Sequence, residues 1–174
     1  MANYEHIFLH TDISLADLAR QIGQAVQGEV GHSPQGDFSV VRPGRLRGHV
    51  GGSLETNFYG PPPDPEPDEF SVLDGYEVVF HIRTFTTNRT EEEQVSEARW
   101  LFDDIIAHLP YQVLLTHGMS ILVAAWSPTL GLTEFPPRTF VELEHRELWA
   151  PYDLPVFDPR SQVGRRDEPG TALT

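Results

Sequence analysis

The chain contains no cysteine and no lysine. The first absence excludes disulfide staples, cysteine zinc sites and a thiol nucleophile. The second excludes Schiff-base and lysine general-base chemistry, since all twelve basic residues are arginine. No apolar run reaches the length of about 18 residues that a membrane-spanning helix needs. The opening Met1-Ala2-Asn3-Tyr4-Glu5-His6 lacks the charged-then-apolar pattern of a signal peptide, so the expected location is the cytoplasm. There is no Gly-x-Ser-x-Gly elbow, no P-loop and no dinucleotide fingerprint. No cofactor is expected. Positive charge is scarce as well: 12 arginines against 26 acids leave a net charge of −14. Such a balance disfavours nucleic acid, whose phosphates are bound by Lys and Arg, and it suits a basic protein partner.

What is present fits one domain. The 174 residues are 39% hydrophobic and 22% charged, an ordinary globular composition. Tyr4 to His10 reads as a strand, with Ile7 and Leu9 on one face and His6, Phe8 and His10 on the other. Ser14 and Asp17 resemble a capping box, and Leu15, Leu18, Ala19, Ile22, Ala25 and Val26 form a helical stripe. A second strand is expected at 37–41. Residues 45–60 read as a Gly-rich loop followed by a short strand. Gly60 to Glu69 holds five prolines and four acids, which predicts an extended, solvent-exposed loop. Tyr76 to Phe85 gives the strongest strand pattern. Thr90 and Glu93 form a full capping box that opens a second helix running to about His108, before Pro110. Residues 112–126 read as a hairpin turning at His117-Gly118, and a last strand is expected at 139–143.

This order predicts an α+β fold: a mainly antiparallel sheet with both helices on one face, in the ferredoxin-like β-α-β-β-α-β order with extra strands. Residues 1–147 form the domain. Residues 148–174 form an irregular C-terminal tail, whose first part packs down through Trp149, Tyr152, Leu154 and Phe157 and whose last dozen residues fray.

Candidate sites follow from charge and periodicity. Residues 61–110 carry a net −9, far more than the −2 before them and the −3 after. On a wheel of the second helix, Trp100 falls nearly opposite the apolar stripe, with Glu93, Glu97 and Asp104 beside it. A tryptophan ringed by carboxylates suits a docking surface for a basic partner, unless the C-terminal tail folds back over it. Asp64, Glu66, Asp68 and Glu69 of the Pro-rich loop extend that acidic surface. Away from the helices, His6, His10, Glu77, His81 and Arg83 share the open sheet face. Of these, His6, His10 and His81 are candidate metal ligands, although no spacing motif fixes their geometry. Residues 42–53 combine three arginines with four glycines. That loop could cradle a phosphate, or pair with the acidic segments.

The opening strand running into Thr11-Asp12-Ile13-Ser14 and Leu15-Ala16-Asp17-Leu18-Ala19 resembles small, acidic α+β proteins of actinobacteria, some of which look like immunity proteins of polymorphic toxin systems. The resemblance implies a bacterial cytoplasmic protein that neutralises a basic toxin domain by binding it, without catalysis. One alternative is a small enzyme or ligand- or metal-binding domain built on the His/Arg cluster. Another is a structural or phage-type assembly component.

Overall fold

The computed structural model describes residues 4–159. Its centre is one eight-stranded sheet in which every neighbouring pair is antiparallel. The strands are β1 (Glu5–His10), β2 (Glu29–His32), β3 (Phe38–Pro43), β4 (His49–Thr56), β5 (Val78–Phe85), β6 (Gln112–His117), β7 (Ile121–Ser127) and β8 (Gly131–Glu134), and their order across the sheet is β2-β3-β4-β5-β1-β6-β7-β8. The α+β class and the antiparallel sheet expected from the sequence are therefore present. Among the described residues, no helix is long and apolar enough to cross a membrane.

Both long helices begin where their caps predict. In α1 (Leu15–Val26) the Ser14 hydroxyl accepts the Asp17 N–H. In α2 (Glu91–His108) Thr90 and Glu93 cap each other reciprocally, and three acids occupy the first turn, where the helix dipole favours them. Leu18, Ile22 and Val26 of α1 and Leu101, Phe102 and Ile105 of α2 share one core with Ile7, Leu9, Phe80 and Ile82 of the sheet.

A second core lies on the other side of β1, where Phe8, Val79, Leu114 and Leu122 are covered without long helices. The cover consists of a 3-10 turn at Val72–Gly75, the short helix α3 (Arg146–Trp149) and the turn that follows it. Trp149 and Tyr152 are buried in this core. A buried indole removes roughly 200 Å² from water, about 5 kcal/mol at 25 cal/mol per Å². The layer is sewn to the sheet by polar bonds. Tyr76 donates its hydroxyl to the Tyr152 carbonyl at 2.9 Å, Gln112 donates to both groups, and the Phe157 N–H reaches the Asp74 carbonyl at 2.7 Å. Burial pushes the Tyr76 phenol and the Asp74 carboxyl above their ordinary pKa values. The expected fraying of the last dozen residues lies outside the described residues.

Three features differ from the sequence expectation. β2 forms in a segment for which the sequence predicts no element: an exposed edge strand of four residues leaves almost no apolar alternation to detect. The short strand expected after the Gly-rich loop is the eight-residue β4, which starts at His49 and takes in Gly51 and Gly52. The strand expected at 139–143 reduces to single bridges at Phe140 and Glu142, while β8 takes the place beside β7. Pro136 and Pro137, directly before that segment, lack the N–H groups a ladder needs.

The glycines of β4 are structural. A Cβ on Gly52 would lie 1.8 Å from the His81 carbonyl oxygen of β5, whereas one on Gly118, in the β6–β7 turn, would meet open space. Gly52→Ala is expected to lower stability by about 3 kcal/mol or more, since backbone must move. Gly118→Ala (φ +58°) should lose only about 1 kcal/mol, from the left-handed conformation alone. Urea unfolding of the two variants checks the contrast; equal losses would mean that β4 and β5 separate easily.

Candidate functional site

Two places concentrate polar chemistry, and the first is the acidic side of α2. The wheel sets Glu93, Glu97, Trp100 and Asp104 on one side of the helix, but the structure does not leave them open. The β3–β4 loop lies across them. Arg47 grips both carboxylate oxygens of Glu93 at 2.9 Å and also donates to the Asn88 carbonyl. Glu97 is buried and accepts the Leu46 N–H at 2.7 Å. Asp104 takes hydrogen bonds from Arg42 and Arg45. The Arg45 guanidinium sits 5.3 Å from the centre of the Trp100 ring. Trp100 is therefore half-buried under this loop, while the described part of the C-terminal tail, with Trp149 and Tyr152, packs on the opposite side of the sheet. The buried side of α2 is rotated to match, with Gln94 and Glu97 inside while Val95 is 40% exposed.

Of the two roles open to the Arg/Gly loop, pairing with acids is the one formed. Arg42 and Arg47 each engage carboxylates and carbonyls of this chain. Hydrogen bonds from Arg47 and from the Thr90 N–H lower the pKa of Glu93 to about 2. Glu91 and Asp103, further acids of α2, lie against His117 and Arg99.

The acids of the Pro-rich loop stand apart. Asp64, Glu66, Asp68 and Glu69 are all exposed. Among the described residues none of them forms an ion pair; Glu69 only caps the Glu66 N–H, at 2.8 Å. Phe58 and Tyr59, just before the loop, are 69% and 52% exposed.

The second place is the part of the sheet face that the C-terminal layer does not cover. There a groove of about 800 Å³ opens over β3, β4, β5 and the start of β1. The antiparallel register sets His6 opposite His81, and their Nδ1 atoms are 2.9 Å apart. His81 Nε2 lies 3.3 Å from Glu55, a carboxylate that also accepts the Ser53 hydroxyl. Burial, and then the neighbouring His81, lower the His6 pKa to about 4, so His6 is neutral at pH 7. Glu55 favours the proton on His81 Nε2. In that tautomer His81 Nδ1 accepts from His6 Nδ1–H. Arg83 stacks on Phe85 with 4.5 Å between the guanidinium carbon and the ring centre. His10 takes no part, since its Nδ1 bonds Glu77 at 3.0 Å. Among the described residues, no group of three or more His, Asp or Glu is placed to hold a metal ion. His6 and His81 are thus brought together as a hydrogen-bonded pair without His10. The sequence does not single out Ser53, Glu55 or Tyr59, because a loop followed by a short strand within 45–60 leaves the start and the facing of β4 open; the alternation of Val50 and Leu54 with polar neighbours is the signal that assigns Ser53 and Glu55 to one face.

Compared with protein-family models, with curated proteins and with solved structures, the chain matches none.

Two predictions follow from these geometries. Glu97→Arg removes the acceptor of the Leu46 N–H and buries a fourth guanidinium beside Arg42, Arg45 and Arg47. It is expected to lose about 3–5 kcal/mol, while Glu66→Arg on the exposed loop stays within about 0.5 kcal/mol. Thermal unfolding of the pair checks this, and an unchanged Glu97→Arg midpoint would overturn the buried placement.

For His6 the folded pKa lies below the unfolded one. The unfolded chain therefore takes up the proton first as pH falls. The stability linked to His6 is complete above pH 6.5 and is lost down to about pH 4. Relative to His6→Gln, the wild type should lose at most about 3 kcal/mol across that window. Urea unfolding at stepped pH values tests it; parallel profiles would refute it.

Proposed function

We propose that the protein is a non-enzymatic binding protein of the immunity or antitoxin type, which neutralises a basic toxin domain in the bacterial cytoplasm. The observation that supports this reading is the Pro-rich loop. Four exposed carboxylates, none of them in an ion pair among the described residues, follow shortly after two exposed aromatic side chains, Phe58 and Tyr59. Unpaired acids steer a basic partner and raise its association rate, and aromatic anchors supply the apolar contact that holds it. Five prolines limit the freedom of the loop before binding, which reduces the entropy lost on docking.

In this reading the docking surface centres on Asp64, Glu66, Asp68 and Glu69 rather than on α2. Glu93 and Asp104 contribute only where a partner displaces Arg47 or Arg45, and Trp100 is reached only with them. The overall arrangement is read as ferredoxin-like in its middle. The order β4-β5-β1-β6, with α1 and α2 contributing to one core, supports that reading, and the added strands extend both edges.

The test is capture on immobilised protein from a lysate of the source cells, with the wild type beside Glu66→Arg/Glu69→Arg. A basic protein retained by the wild type, and bound about 10- to 100-fold more weakly by the double variant, is the expected outcome. A retained protein that binds both equally, or one that is itself acidic, would overturn the docking surface.

A further inference from the structure

The groove over the second sheet face lies outside the docking loop, and its chemistry differs from that of the loop. We propose that it is a binding site for a small aromatic monocarboxylate, held flat on β3–β5 with its carboxylate on Arg83.

Its volume of about 800 Å³ falls within the range of small-molecule sites. The floor is smooth for a structural reason. Gly51 and Gly52 approach the neighbouring strands so closely that a Cβ would lie 2.0 Å from the Val40 carbonyl oxygen and 1.8 Å from that of His81. Ser39 and Ser53, a cross-strand pair, add only hydroxyls. A planar molecule can therefore lie against the strands. Tyr4 and Tyr59 line the groove while remaining 39% and 52% exposed, so ring area is available for contact with an aromatic ligand, while Phe85 carries Arg83 on its ring.

Arg83 supplies the polar end. It is exposed, and among the described residues no carboxylate pairs with it; its guanidinium lies over the Phe85 ring. Arg42, Arg45, Arg47 and Arg99, by contrast, all engage acids. A guanidinium stacked on a ring keeps its in-plane N–H donors free, and their fork matches a carboxylate. Glu55 does not compete for Arg83, since it is engaged by Ser53 and His81. His6 is neutral and adds no second cation. One cation inside a chain of net charge −14 favours a monoanion over a phosphate dianion.

The experiment is an NMR titration of the isotope-labelled full chain with indole-3-acetate, with indole and acetate as separate probes. Saturable shifts at His6, Ser53, Tyr59 and Arg83 are expected, with a Kd on the order of 10 µM to 1 mM. Indole should bind about tenfold more weakly, and Arg83→Gln should reduce indole-3-acetate to the level of indole while leaving indole unchanged. Ser53→Phe, which fills the floor, should abolish both; should it misfold, Arg83→Gln alone carries the test, since its side chain is exposed. The loop variant Glu66→Arg/Glu69→Arg should bind indole-3-acetate as the wild type does, which separates this site from the docking surface. No saturable shift, equal binding of indole and indole-3-acetate, or an Arg83→Gln variant that binds undiminished would each overturn the proposal. So would a captured protein partner that shifts these signals when indole-3-acetate does not, because the groove would then belong to the protein interface.

Discussion

A single sheet has two faces to bury, and the two long helices among the described residues are both spent on the same core. Every other feature depends on how the second face is handled. β1 lies between β5 and β6 with Ile7, Phe8 and Leu9 all fully buried, so both of its faces must be covered. On the second face the cover is assembled from 3-10 turns, the short α3 and the segment after it, anchored by Trp149, Tyr152 and Tyr76. That material is enough for Phe8, Val79 and Leu114. It does not reach Ser39, Ser53, His81 and Arg83, where the strands turn polar or small. The groove begins where that cover ends.

Charge follows a similar logic of local matching. The net −14 of the chain suggests a uniformly acidic body. Instead, arginines are placed against the acids of α2, and the β3–β4 loop is held down through Glu93, Glu97 and Asp104. Such contacts at the surface contribute little singly. Here the buried Arg42 and Glu97 and the half-buried Asp104 fix the loop, and they fix α2 against the strands that the loop connects. The acids of the Pro-rich loop form no ion pair among the described residues, and the loop has no core side to turn inward.

The parts of the fold legible in sequence are those specified locally. The Ser14 and Thr90 caps, the stripe of α1 and the alternation in β5 need only a few neighbouring residues to be recognised. β2 and β8, with four residues each, carry too little pattern. β4 was obscured because its glycines answer to Val40 and His81, which are distant in sequence. The wheel placed Trp100, Glu93, Glu97 and Asp104 correctly on one side of α2, but it has no means of knowing that another loop of the chain covers that side. His6 and His81 were recognised as sharing a face. Their direct contact depends on a pairing across 75 positions, which no local rule specifies.

Tyr59 ties the two functional surfaces to the covering layer. It lines the groove and directly precedes the acidic loop, so its position matters to both. Asn57 sets that position. It is buried, donates to the Leu73 and Tyr76 carbonyls at 2.9 and 2.8 Å, and accepts the Tyr59 N–H at 3.0 Å. Leu73 and Tyr76 belong to the layer that covers Phe8. The same few residues that complete the second core therefore fix the wall of the groove and the root of the loop. Loosening that layer would move a binding wall as well as expose a core, so stability and recognition share one support on this side of the sheet.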